Sequence, residues 1–506
     1  MANKEMSQKE ALYLKKVNKR KLSGSLEFTT SRLAWQVTAA FAAYFLIFQA
    51  VPKGGAWFAV GGVYAAAFAL QYFVTQRIIK EVTGDSGEIS ATTRKMGWLL
   101  LPFVIVGDFF MFIAGCMLIK KEKNLEYQLS VYSLLVTIFI LVVSALNLFK
   151  ETQSKTFWLG MGLYALYAVL NLVIMNAVNK YTFGKKPDKK FLPYAYICIA
   201  GICLGNVFSF LLGIIALGKY YNKNEEVSVE WIDVIRRLFR NYMACIGMFI
   251  VIFLLSVSVA SVLTFDYSIA TSNNFAARLA APSLMYPFGC DEYGRCVFTR
   301  IIFGARISLI VGMISTMAPV IVGGMLGAIA GYYGGKVDNA IMRVLDVLNA
   351  VPSILMAITV IAAFGASTLS LILALSIGGI PGYARTVRAQ VMGVANQEFV
   401  EAAKACGAKD STIIFRHIIP NSLAPVIVRA TMGMGSAVLS TSSLSYLGIG
   451  VESHIPEWGN VLNAGSKFLE RNPYIAIFPG LAIIIIVLSF NYFGDGLRDA
   501  LDPKLK

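Results

Sequence analysis

Twelve stretches of this chain are apolar for about twenty residues at a time, and nothing else in it constrains the fold so strongly. A helix rises ~1.5 Å per residue, so ~20 apolar residues cross the ~30 Å hydrocarbon core of a bilayer. Six windows lie in the first 220 residues, at 33–51, 56–74, 98–119, 127–149, 157–178 and 191–217. Six more follow, at 242–264, 307–331, 340–363, 367–384, 424–447 and 474–493. The expected fold class is therefore all-α, a polytopic integral membrane protein of about twelve transmembrane helices. Composition agrees: of 506 residues 57% are hydrophobic and 15% charged, with a mean hydropathy of +0.65. Such a chain is not disordered, and its apolar content argues against a soluble enzyme.

Lys and Arg number 45 against 29 Asp and Glu, a net charge of +16. In a membrane chain such an excess marks cytoplasmic loops more often than a nucleic-acid partner. With a cytoplasmic N-terminus and strict alternation, 28 Lys and Arg fall in cytoplasmic segments, 15 outside and 2 within spans, and both termini are cytoplasmic. Two external loops object: Lys120, Lys121 and Lys123, and the run from Lys180 to Lys190. A missed or re-entrant span in the first half would remove the objection. Residues 1–32 read as a retained basic cytoplasmic tail, because they lead into a full-length apolar stretch without a cleavage site. Residues 33–218 are then a six-span region, 219–241 a linker, and 242–506 a second six-span domain. In the linker, Trp231, Val234, Ile235 and Leu238 recur at helical spacing, as in an amphipathic helix lying on the inner membrane surface. No strong sequence repeat relates the two halves.

The long polar loop at 385–423 is the most informative segment. Asn396 suits an N-cap, Glu398 and Glu401 fall in the first turns, Lys404 is near the end, and Gly407 suits the left-handed stop. A short cytoplasmic helix is predicted, with Phe399, Ala402, Ala403 and Cys406 on one face and the two alanines permitting close approach. Asp410 is then placed to cap a second short helix, STIIFRHII, ended by Pro420.

Glu401-Ala402-Ala403, with Gly407 and Pro420 beyond them, resembles the EAA loop of membrane subunits of ATP-binding-cassette (ABC) importers. The stretch Phe415–Asn421, FRHIIPN, is similar to the dipeptide, oligopeptide and nickel permease family. Phe288–Gly312, Ser445–Asn460 and Gly494–Lys506 agree, so the likeness covers about residues 231–506. It implies a type I importer permease core in a bacterial cytoplasmic (inner) membrane. The implied partners are a second homologous permease, two ATP-hydrolysing subunits and an extracytoplasmic peptide-binding protein; peptides are the implied cargo, with nickel as runner-up. By the same resemblance the EAA helix docks on the ATPase, Glu401 orienting the contact, Ala402 and Ala403 allowing it and Gly407 setting the turn. His417 departs from the broad motif and fits the peptide subgroup, with a structural role beside the docking helix. The six spans before residue 220 are the main departure from the family, read as an assembly platform, a binding-protein contact or a stabiliser.

Other features are weaker. Glycines 323, 327, 331 and 335 form a small-xxx-small ladder, read as close helix packing before a pore lining. Asp108, Arg343, Asp346 and Arg429 are the charges inside spans. Arg343 and Asp346, three apart, are expected to pair with each other, whereas Asp108 and Arg429 have no evident partner. Cys290 and Cys296 share an external loop and leave open a disulfide or two free thiols. No catalytic constellation, metal motif or phosphate-cradling loop is found: near Gly335-Lys336, Ala330 and Val337 stand where glycine and a hydroxyl are needed. The chain is expected to bind no cofactor, leaving ATP and Mg to partner subunits. A self-contained secondary transporter and a non-transporting assembly protein are the alternatives from other classes.

Overall fold

A computed structural model of the chain describes residues 17–19, 22, 25–43, 46, 56–84, 87–121, 123–150, 152–182, 187–221 and 229–502. Parts of the expected tail 1–32, of the first window, of the Lys180–Lys190 run and of the linker lie outside these. No strand occurs among the described residues. The first region comprises α1 (Leu26–Ala43), α2 (Ala56–Thr83), α3 (Ala91–Leu100), α4 (Phe109–Ile119), α5 (Leu125–Ala145), α6 (Phe157–Tyr181), α7 (Leu192–Ala200) and α8 (Val207–Tyr221). The linker helix α9 (Val229–Leu238) leads into the second region.

Two of the expected spans are hairpins. In window 98–119, α3 tightens into a 3-10 turn over Leu101–Val106 and stops at Gly107, whose φ of 88° is the left-handed region open to glycine. Asp108 then restarts the chain as α4, its carboxylate accepting the Met111 N–H at 3.1 Å. The chain doubles back, so that a Cβ on Gly97 would meet the Gly115 carbonyl oxygen and one on Gly115 the Gly97 oxygen. Window 191–217 does the same at Gly205 (φ 77°) and Asn206, with Gly213 folded against Ala195. An apolar count cannot see either break, because each costs one glycine and one capping side chain.

These parallels extend through the region. The sequence around Leu26-Glu27, Thr38, Gly62-Val63-Tyr64-Ala65, Leu70-Gln71, Gly107-Asp108 and Gly115 returns as Leu125-Glu126, Thr137, Gly162-Leu163-Tyr164-Ala165, Leu170-Asn171, Gly205-Asn206 and Gly213. The contacts return with it. Tyr64 donates to the Val106 carbonyl at 2.8 Å and Tyr164 to the Leu204 carbonyl at 3.0 Å, each the last acceptor before the glycine break. Thr38 donates to Asp108, and Asn206 donates to Thr137. The first region is thus two copies of one unit, each a pair of antiparallel helices followed by a re-entrant hairpin.

A unit that ends on the face where it began changes the topology that strict alternation gave. Asn124 donates to the Thr182 carbonyl, Lys123 pairs with Glu27, and Lys219 with Glu126, so the ends of both hairpins share one face. Lys120, Lys121, Lys123, Lys180, Lys189 and Lys190 therefore lie on that face, and the objection raised by the two lysine-rich loops disappears once re-entrance is recognised. Conversely, Asn147 donates to the Thr264 carbonyl, Thr156 to that of Leu263, and Lys150 to Thr299. Residues 146–156, placed in the cytoplasm by alternation, lie on the opposite face.

The second region holds α10 (Tyr242–Thr264), α11 (Val297–Tyr333), α12 (Gly335–Ala350), α13 (Ser353–Phe364), α14 (Thr368–Ala395), α15 (Glu398–Ala405), α16 (Ile419–Tyr446), α17 (Trp458–Ser466) and α18 (Tyr474–Leu501). By length and composition seven helices of the described chain can cross a membrane: α5, α6, α10, α11, α14, α16 and α18, with α12 and α13, bent by 84°, as an eighth span if taken together. The expected twelve are not reproduced. Gly323, Gly327 and Gly331 press α11 onto α14, where a Cβ on Gly327 would fall on the Ala384 backbone. Gly335, the fourth rung, faces open space and instead starts α12 with φ 52°. An aromatic seam of Tyr132, Phe139, Phe208, Phe249 and Phe253 seats the first region on α10.

On the face away from the polar loop, buried Glu457 ties three elements together. Its carboxylate accepts from Ser308 at 3.0 Å, Ser442 at 2.9 Å and the N–H groups of Gly459 and Asn460 at 2.7 and 3.2 Å. Trp458 beside it is fully buried and donates to the Ile301 carbonyl. Cysteines placed one at a time at Lys121, Lys190 and Arg240, in a background free of accessible native thiols, should react with an impermeant maleimide from one side. Cysteines at Lys155 and Arg278 should react from the other; labelling of position 121 together with position 155 contradicts the hairpin topology. Glu457→Ala should lower stability by about 3 kcal/mol, because it strands four buried donors, and Glu457→Gln by less, because it keeps an acceptor oxygen. Equal thermal unfolding of all three proteins in detergent would count against this tie.

Candidate functional site

The polar loop folds around one apolar anchor. In α15 the buried residue is Val400, half-buried Ala403 lies beside it, and both pack on Val391 of α14 and on Ile413, Ile414 and Ile418. Phe399, Ala402 and Cys406 are exposed. The face expected to carry Phe399, Ala402, Ala403 and Cys406 together is therefore split: Ala403 turns partly inward, and the outward side is Glu401, Ala402 and Phe399. Asn396 is not the N-cap. It closes α14, donating its side-chain amide back to the Met392 carbonyl, and Gln397 takes the cap position without a side-chain bond. Gly407 stops α15 with φ 77°, as expected, and nothing lies within 4 Å of a Cβ built on it.

The second short helix is not ended by Pro420. Asp410–Thr412 runs into a π-helical turn over Ile413–Ile418 and on into α16. The wide turn leaves Pro420 in the first turn of α16, where a missing N–H costs nothing. Asp410 does not cap; it accepts from the Tyr332 hydroxyl at the end of α11 at 2.7 Å. His417 is half-buried in the π turn, and its backbone carbonyl accepts from the Asn421 side-chain amide. Two ion pairs fasten α14 to α12: Arg388 with Asp338 and Arg385 with Asp346, the latter at 2.8 Å. The expected Arg343–Asp346 pair is thus not formed; Asp346 turns to Arg385 on the neighbouring helix, and exposed Arg343 has no ion pair among the described residues. Helix α15, the π turn and the ends of α11, α12 and α14 form one braced block.

From that block α16 carries an exposed polar stripe into the membrane. Arg429 donates to Thr386 and lies over the Tyr383 ring at 5.3 Å. Ser436, Ser440 and Ser443 follow, exposed, at i, i+4 and i+7. The three serines, with Ser315, Thr316 and Ser353, line a cavity of about 410 Å³ between α11, α13, α14 and α16. Arg429 stands out in the sequence as a charge inside a span, whereas the serines carry only the subtler signal of helical spacing that starts seven residues beyond it. Asp108 is remote from this cavity and serves as a helix cap bonded to Thr38. Cys290 and Cys296 are fully buried, joined by a single antiparallel backbone bridge, and both thiols are free.

The second region has known relatives. Residues 323–506 match the model of the binding-protein-dependent transport system inner membrane component, and residues 230–282 that of the N-terminal TM domain of oligopeptide transport permease C. The dipeptide transport system permease protein DppC of Alkalihalophilus pseudofirmus is 43% identical over 276 residues, 54% of this chain and 90% of that protein. The glutathione transport system permease protein GsiD of Pectobacterium atrosepticum is 39% identical over 284 residues, 56% of this chain and 94% of that one. Among solved structures, an inward-facing form of the MetNI methionine ABC transporter covers 40% of this chain and 97% of its own, at 16% identity and a TM-score of 0.34. Relatives at about 40% identity, matched over nine-tenths of their own length, place the chain in the dipeptide, oligopeptide and nickel family of ABC importer permeases.

Proposed function

We propose that this chain is the translocating subunit for short peptides in a bacterial inner-membrane importer. It works with a second related permease, two ATP-hydrolysing subunits and an extracytoplasmic peptide-binding protein, and both its termini are cytoplasmic. The observation that carries the reading is the posture of α15: Val400 buried below, Phe399, Glu401 and Ala402 free above, and a rigid connection to α11, α14 and α16. A load applied to the free side reaches three membrane helices at once, which is what rigid-body alternating access requires. ATP and Mg belong to the partner subunits.

The serine-lined cavity supports a peptide cargo. Hydroxyls on an otherwise apolar wall accept and donate, as peptide groups do, and Arg429, outside the cavity but over the Tyr383 ring that lines it, suits a carboxylate. Such hard donors are a poor lining for nickel, which prefers imidazole and thiolate. The relatives named for dipeptide and glutathione transport point the same way. The second permease fits against α13, α14 and α16, where Ile354, Leu355, Phe364, Leu369 and Leu439 are exposed, on the side the first region leaves free.

Gly407→Arg and Glu401→Lys should each abolish ATP-driven uptake of a labelled dipeptide by the reconstituted complex, while the chain remains inserted at normal level. Normal uptake by both variants would falsify the docking assignment. Uptake by the chain alone, without ATPase subunits, would instead establish a self-contained secondary transporter.

A further inference from the structure

Where the first region meets α10 and α18, the seam is not closed. A cavity of about 510 Å³ runs along it, lined almost wholly by carbon, including Leu33, Val37, Leu135, Ile246, Phe253 and Ile485. Along α10 it extends from Tyr242 to Leu254, thirteen residues whose Cα atoms span ~18 Å of helix, close to the depth of one ~15 Å leaflet. At the end nearer the docking face, Phe239 closes this slot and also lines a second cavity of about 270 Å³. That second cavity is polar and holds Lys121, Lys123, Arg236 and Arg240 against a single acid, Glu27.

The four cations are not equally engaged. Lys123 is buried against Glu27 and belongs to the fold. Lys121 pairs with Glu88, and Arg236 with Asp233, but these pairs are exposed and exchange readily with another anion. Arg240 is exposed and has no ion pair among the described residues. A basic mouth opening into an apolar slot of leaflet depth matches one kind of molecule: an amphiphile with an anionic head and a long hydrocarbon tail.

We infer that this seam is a binding site for an anionic phospholipid of the docking-face leaflet, with its phosphate held by Arg240, Arg236 and Lys121 and an acyl chain in the slot between α1, α5 and α10. Selectivity comes from the head. Inside a bilayer a chain leaves lipid for protein, so the slot supplies shape, and the cations supply preference for negative over zwitterionic heads. The bound lipid fills the space between the extra region and the permease core. This inference rests on the seam alone and stands whatever the cargo.

The test uses the full chain in nanodiscs of phosphatidylcholine with a minor fraction of phosphatidylglycerol, measuring lipid retained through delipidating washes by mass spectrometry. Phosphatidylglycerol should be retained at about one molecule per chain and enriched over phosphatidylcholine. Arg236→Gln with Arg240→Gln should cut that enrichment at least about tenfold, as expected when two charges near the membrane surface are removed. Ile246→Trp, which fills the slot, should reduce retention while leaving the head-binding arginines, and Leu488→Trp, on exposed surface, should change nothing. Glycerol phosphate, the head without the tail, should not displace the lipid. Equal retention of both lipids, an unchanged arginine double variant, or displacement by glycerol phosphate overturns the inference.

Discussion

A peptide group in hydrocarbon has no water to bond, so every break in a membrane helix must bring its own partners. That requirement shapes both halves of this chain. In the first, each hairpin turns where glycine permits a left-handed residue, a tyrosine reaches over to take the last carbonyl, and Asp108 or Asn206 receives the first amides of the returning helix. In the second, a π turn lets a helix pass from the docking loop into the membrane across Pro420. The same economy places the polar loop on a face already rich in lysine, since each hairpin returns the chain to where it entered.

Helix α15 depends on that continuity. Eight residues of helix are too few to be stable in water alone, and α15 persists because Val400 is pinned to a cluster contributed by α14 and the π turn. Its outward side carries Phe399, Glu401 and Ala402, which no described part of the chain covers. Because the pinning residues lie on helices that also line the serine cavity, the contact that would sense the ATPase and the surface that would meet cargo belong to one body.

Much of this was legible in the residues. Five of the six apolar windows after residue 240 each fall on one long helix, 340–363 falls on the pair α12 and α13 bent by 84°, and the block from Glu401 to Gly407 announced its helix and its stop. What the sequence hid was set by tertiary choice. Asp346 could pair three residues back or across to Arg385, and only the packing of α14 decides. Asn396 has the chemistry of an N-cap, yet it closes the preceding helix. Windows 98–119 and 191–217 have the apolar length of spans, and one glycine followed by one polar residue folds each back on itself. The surplus lysines at 120–123 and 180–190 were the visible trace of that folding, and the repeat of Gly-Asp and Gly-Asn about a hundred residues apart was its cause.

The central claim is that the chain meets an ATPase through the outer side of α15 while its inner side stays within the permease. A photocrosslinking amino acid placed in turn at Phe399, Ala402, Val400 and Ile413, in cells expressing the whole importer, tests it directly. The account predicts crosslinks to the ATPase from positions 399 and 402 and none from 400 and 413. Crosslinks from the buried pair, or none from the exposed one, would contradict it.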